Sequence, residues 1–120
     1  MHIDDMLESL RAQEGFAENV GMVLIHNGVV RGWSRQNHQN VIAVEVSPKE
    51  DVIAAIVKDI EGRPGIWRVL VKAESGLKKP GDDLLKLVVA GDVRENVIPA
   101  LSDLLNRVKA EGFNKREVMA

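Results

Sequence analysis

The sequence predicts an α+β fold, with a mixed or antiparallel sheet and helices packed on one side. Three observations carry this. Two stretches, 47–61 and 96–109, hold aliphatic residues at helical spacing. Four aliphatic runs, each bounded by Gly, Pro or polar residues, read as strands. The strand pairs are joined by loops, whereas a doubly wound parallel sheet needs a helix between most strands.

Taken in order, "IDDMLESLRAQEG" has Ile3, Met6, Leu7 and Leu10 on one helical face, Asp4 and Asp5 at the positive end of the dipole, and Gly15 as a stop. "GMVLIHNGVV" is a strand of branched aliphatics, and the polar "RGWSRQNHQN" after it is a loop. "VIAVEV" is a second strand. In "SPKEDVIAAIVKDIEGRPG", Ser47 is placed to cap, Pro48 suits the first helical position and Glu50 completes a capping box. Val52, Ile53, Ile56, Val57 and Ile60 make the apolar stripe, and Gly62, Pro64 and Gly65 end the helix.

"IWRVLVKA" alternates, with Trp67, Val69 and Val71 on one face and Arg68 and Lys72 on the other. "ESGLKKPGD" is a turn region that is tightest at Pro80-Gly81. The nearly continuous apolar run "DLLKLVVAG" predicts a central strand. The last helix is expected to start near Asn96, which leaves Pro99 in the first turn, and to bury Val97, Leu101, Leu104, Leu105 and Val108. "FNKREV" reads as a final short strand.

Composition narrows the function classes. The 120 residues suit one domain, 1–120. Hydrophobic residues make up 45% of the chain and aromatics only 3%, so the core must be aliphatic. There is no Cys, which excludes disulfides, thiolate metal sites and Cys nucleophiles. A net charge of -2 argues against a basic nucleic-acid face. The acidic N-terminus does not resemble a secretory signal and no apolar run is long enough to cross a bilayer, so the expectation is a cytoplasmic protein with no membrane partner.

No phosphate-loop, dinucleotide, zinc or nucleophile-elbow pattern occurs, and no metal or cofactor is expected. His2, His26 and His38 are not spaced as ligands. The basic residues carry more interest. Arg31 follows the first strand and Arg94 the fourth; they converge on an anion only if both strands end at the same sheet edge. Lys109 and Lys115 flank Gly112, near the close of the last helix. Each also has an ordinary explanation: a last-turn lysine is favoured by the helix dipole, and Lys115 and Arg116 suit a solvated tail.

"GMVLIHNGVVR" and "GLKKPGDDLLKLVVAGDVRENVIPALSDLLNRVK" together resemble the large, catalytic subunit of molybdopterin synthase, and Glu45 in "VEV" falls where that family has a glutamate. The resemblance runs from Gly21 to Glu117. It implies a hammerhead α+β fold, a homodimer, and a small ubiquitin-like sulfur-carrier subunit whose C-terminal glycine thiocarboxylate enters the site. The implied activity is a transferase step of molybdenum cofactor biosynthesis, in which sulfur passes to cyclic pyranopterin monophosphate. The implied catalytic residues are Lys109 and Lys115, with Arg31 and Arg94 holding anionic groups. Lys115 matches the second lysine if the preceding loop is one residue short; otherwise Arg116 takes that place. Several positions depart from the family pattern: Ala73 and Glu74 replace a His-Arg pair, Val93 replaces a His and His26 replaces a Phe. Glu74 is therefore a candidate to pair with a site lysine. Two other readings stay open, a non-catalytic protein on this scaffold that binds a ubiquitin-like tail or pterin phosphate, and an unrelated ligand-binding module.

Overall fold

The computed structural model describes residues 2–120. Its elements are α1 (Ile3–Arg11), α2 (Phe16–Asn19), β1 (Met22–Val29), β2 (Val41–Pro48), α3 (Glu50–Glu61), β3 (Ile66–Ala73), β4 (Gly76–Lys78), β5 (Asp83–Gly91), α4 (Arg94–Arg107), a π-helical turn (Val108–Gly112) and β6 (Phe113–Met119). The strands form two antiparallel sheets of three, in the orders β1-β5-β3 and β4-β2-β6. The α+β class holds, with the strands divided between two sheets. Among the described residues, no helix is long and apolar enough to cross a membrane.

As its apolar run predicts, β5 is central, and residues 84–91 are all buried. Its side chains alternate between two cores. Leu85, Leu87 and Val89 face the larger one, shared with α3, α4 and the inner face of β2. Val88 and Ala90 face the smaller one, which Met6 and Leu10 of α1 close. Thus α3 and α4 cover one face of this sheet and α1 covers the other.

Four local expectations are corrected. The capping box at Ser47 does not form, because β2 continues through Ser47 and Pro48, which pair with Asn114 and Phe113 of β6. Strand pairing outweighs the cap, and Lys49 becomes the residue before α3. Next, α4 begins at Arg94, two residues early, so Pro99 lies inside the helix and not in its first turn. It sits on the exposed side, where water can reach the carbonyl its missing N–H would have bonded. Trp67 leaves the Val69 face because the register slips between Ile66 and Arg68, and it packs edge-on against Phe16 with ring centroids 5.9 Å apart. Within the predicted turn region, Gly76–Lys78 forms a strand against β2, while Gly81 at φ 94° makes the tight turn.

The sheet end nearest α4 allows no side chain at residue 91. A β-carbon there would lie 2.5 Å from the Gly65 carbonyl oxygen and 2.7 Å from Val97 Cγ2. The Gly65 oxygen accepts from the Asp92 N–H at 2.9 Å and cannot retreat cheaply. Gly91→Ala is expected to destabilise the fold by about 1–3 kcal/mol, read as a lower urea midpoint at unchanged slope.

Candidate functional site

A cavity of about 310 Å³ opens where β1 ends, and β6 and the π-helical turn complete its walls. Arg31, Arg35, Lys109 and Lys115 bring four cationic side chains to it, and none of its lining residues is acidic. A second space of about 290 Å³ shares Arg31, Arg35 and Lys115 and continues to Ser34, Gln36 and Glu117.

Each cation is placed by its own local structure. Beyond β1, the Val30 N–H donates to the Asp82 carbonyl and the Val30 carbonyl accepts from Gly81, both at 2.9 Å. This clamps the chain just before Arg31. The Arg31 guanidinium then lies over the Trp33 ring at 4.8 Å, and Trp33 stacks on His38 at 5.3 Å. A Trp33–Asn40 bridge closes the loop, and the hydroxyl of buried Ser34 donates to Glu117 at 3.0 Å, holding the loop against β6.

Lys109 sits in the π-helical turn, where the widened helix carries the chain into β6. The turn is fixed from both sides. The Lys49 N–H donates to the Gly112 carbonyl at 2.7 Å, and Arg107 pairs with Asp59 of α3. Alternation along β6 then sorts the tail. Phe113 and Lys115 line the cavity, whereas Arg116 lies on the opposite face in a 2.6 Å ion pair with Glu45, its cross-strand partner.

Three sequence-selected residues therefore meet: Arg31, Lys109 and Lys115. Arg116 does not join them. Nor does Arg94, whose side chain is 79% exposed and forms an ion pair with Glu95 at 3.7 Å. The reason is direction. β1 runs antiparallel to β5, pairing Met22 with Gly91 and Val29 with Asp83. The end of β1 and the end of β5 are thus opposite edges of the sheet, separated by about 25 Å over an eight-residue strand. Glu74 forms no ion pair among the described residues and does not line the cavity, so it quenches neither lysine.

Arg35 and His26 were missed from sequence. Arg35 lies in a polar loop whose spacing singles out no position. His26 was visible as an isolated histidine in an aliphatic strand, and nothing in the strand pattern marks it as a cavity residue.

The charges act on one another. The Lys115 amine is held below its ordinary pKa, first by partial burial, then by the Arg31 guanidinium and the Lys109 charge; Glu117 opposes this. Burial, followed by the Lys109 charge, lowers the His26 pKa and leaves the imidazole neutral at pH 7. Chemically, the arrangement is a cation-lined cavity of small-ligand size, suited to receive an anion, with one amine whose pKa its surroundings lower.

An α+β protein of two antiparallel sheets, with a cavity lined by four cations at their junction, is the class that the fold and site define. Comparison with known proteins gives its family. A family model described as "MoaE protein" matches residues 2–111, and the chain belongs to that family. Molybdopterin synthase from Staphylococcus aureus is similar at 19% identity and TM-score 0.80, covering 100% of this chain and 86% of that one. Molybdopterin cofactor biosynthesis protein E from Burkholderia multivorans aligns at 22% identity and TM-score 0.77, covering 100% and 85%. A complex of subunits 1 and 2 of molybdopterin-converting factor from Helicobacter pylori aligns at 15% identity and TM-score 0.72, covering 99% and 80%. No curated protein matches the sequence.

Two outcomes follow from the charge geometry. Arg31→Ala is expected to weaken inorganic pyrophosphate binding about tenfold by calorimetry, the value of one charge-assisted hydrogen bond, and to flatten its salt dependence. Arg116→Ala should change that affinity by less than about twofold, because its pair with Glu45 is exposed and on the other face. Separately, a lowered pKa means a larger neutral fraction of Lys115 at any pH below its ordinary value. An amine-acylating reagent at pH 8 should therefore label Lys115 ahead of the exposed Lys58 and Lys79. Arg31→Ala, which removes a depressing charge, should slow that labelling, as read by peptide mass spectrometry.

Proposed function

We propose that this chain is the large subunit of a molybdopterin synthase and acts in the cytoplasm in molybdenum cofactor biosynthesis. It accepts the thiocarboxylated C-terminal tail of a small ubiquitin-like partner and transfers the sulfur to cyclic pyranopterin monophosphate. The observation that carries this is the meeting of Arg31, Lys109 and Lys115 around one cavity. Membership of the MoaE family supports it, as does the likeness to a protein solved as a two-subunit complex.

The chain's own residues fit the steps. The space along Arg31, Ser34, Arg35 and Glu117 accommodates a narrow peptide end leading into the main cavity. Arg31 and Arg35 hold anionic groups of tail and substrate. In each transfer the thiocarboxylate sulfur bonds a pterin carbon and displaces an oxygen substituent; water then adds to the acyl carbon and breaks its bond to sulfur, so the tail leaves as a carboxylate and the sulfur stays on the pterin. Lys109 faces the acyl group and stabilises the negative charge that develops on its oxygen. Lys115, whose pKa is lowered, takes up the proton released as water adds to the acyl carbon.

A homodimer belongs to this reading and gives Arg94 a role. In this reading the exposed Arg94, flanked by exposed Val93 and Ile98, serves the cavity of the partner protomer.

The test is reconstitution with a thiocarboxylated small subunit and cyclic pyranopterin monophosphate, following dithiolene formation. Lys109→Ala and Lys115→Ala are each expected to lower turnover by about a hundredfold or more. Binding of both ligands without turnover in the wild type would replace the enzyme with the non-catalytic scaffold. Binding of neither would overturn the assignment.

A further inference from the structure

The walls of the main cavity are chemically unequal. Arg31, Arg35, Lys109 and Lys115 supply charge, whereas Leu84, Leu85 and Phe113 supply apolar surface. Beside them stands a single uncharged polar side chain, the imidazole of His26. Its Nε2 is buried and has no hydrogen-bond partner. Buried nitrogens without partners are rare in folded proteins, and each calls for a specific reason.

The local backbone shows how the ring is accommodated. His26 and Gly28 share a strand face, and the ring leans over residue 28, where an added β-carbon would lie 3.1 Å from Nε2. Glycine leaves this space open. The χ2 torsion of histidine is soft, so the ring can turn away from the backbone and toward the cavity at little cost. Lys109, which also lines the cavity, offers N–H donors and no acceptor. The imidazole itself is neutral at pH 7, since burial and then the Lys109 charge lower its pKa. It therefore presents one N–H and one acceptor nitrogen.

We propose that His26 is a specificity-determining residue of this cavity. On ligand entry its ring turns about χ2 and hydrogen-bonds an uncharged nitrogen or carbonyl edge of a flat heterocycle, while Arg31, Arg35 and Lys115 hold the anionic end. This rests on the function proposed above and adds to it the residue that reads the heterocycle. It also separates two kinds of ligand. A bare anion satisfies the cations without a hydrogen bond to His26, whereas a phosphorylated heterocycle engages the cations and the imidazole together.

The test uses the intact chain with ¹⁵N-labelled histidine. Cyclic pyranopterin monophosphate is expected to move the His26 ring-nitrogen resonances, and saturating inorganic phosphate alone to leave them in place. His26→Phe, an apolar ring of similar size, is expected to raise KM for the pterin about tenfold, the value of one hydrogen bond, with kcat within about twofold. His26→Gln, which restores a donor and an acceptor, should recover part of that loss. Ring nitrogens unmoved by the pterin in an active wild type would overturn the inference and leave the function standing. A His26→Phe variant with wild-type KM would do the same. A wild type that neither binds nor converts the pterin would remove the function and this inference with it.

Discussion

Strand β5 is the constraint on which the rest of the structure depends. It hydrogen-bonds to β1 on one side and β3 on the other, and its side chains supply both cores. Leu87, Val88, Val89 and Ala90 are all 0% exposed, so a polar substitution there would leave a group with no water and no partner. Because β1 must run antiparallel to β5, the exit of β1 falls beside the entry of β5. Arg31 is delivered to that edge and Arg94 to the other. The location of the site is in this sense a consequence of sheet pairing.

The cavity concentrates like charge without neutralising it. Other basic residues of the chain are engaged: Arg63 with Asp103, Arg107 with Asp59 and Glu111, and Arg116 with Glu45. Arg31, Arg35, Lys109 and Lys115 form no ion pair among the described residues. Their mutual repulsion works against the fold and in favour of an anionic ligand, which removes the repulsion on binding. Stacking on Trp33 holds Arg31 in place while leaving its N–H edge available, something a carboxylate partner would prevent.

The paired ions also serve placement. Arg107 with Asp59 ties α4 to α3, Arg63 with Asp103 ties α4 to the turn after α3, and the Gly112 carbonyl is held by the Lys49 N–H. The π-helical turn between these anchors sets the direction in which Lys109 emerges. Isolated surface pairs add little to stability. Here their effect is on where the helix end sits relative to β6.

Much of the architecture could be read from periodicity, because burial of one face imposes it directly. The stripe of Ile53, Ile56 and Ile60, the aliphatic run of β5 and the turn at Gly81 all appear where the pattern placed them. Where two local signals competed, pairing between distant segments decided. Ser47 and Pro48 look like a helix start yet complete a strand against Asn114 and Phe113, and Trp67 changes faces through a bulge. The site divides in the same way. The chain alone determined that Arg31, Lys109 and Lys115 were candidates, since these charges flank strand and helix ends. Only the tertiary structure decided that they meet, that Arg35 and His26 join them, and that Arg94 and Arg116 do not. Strand direction and the two-residue alternation of β6 are set by partners far away in sequence, and a linear pattern does not record which edge or face a residue will share.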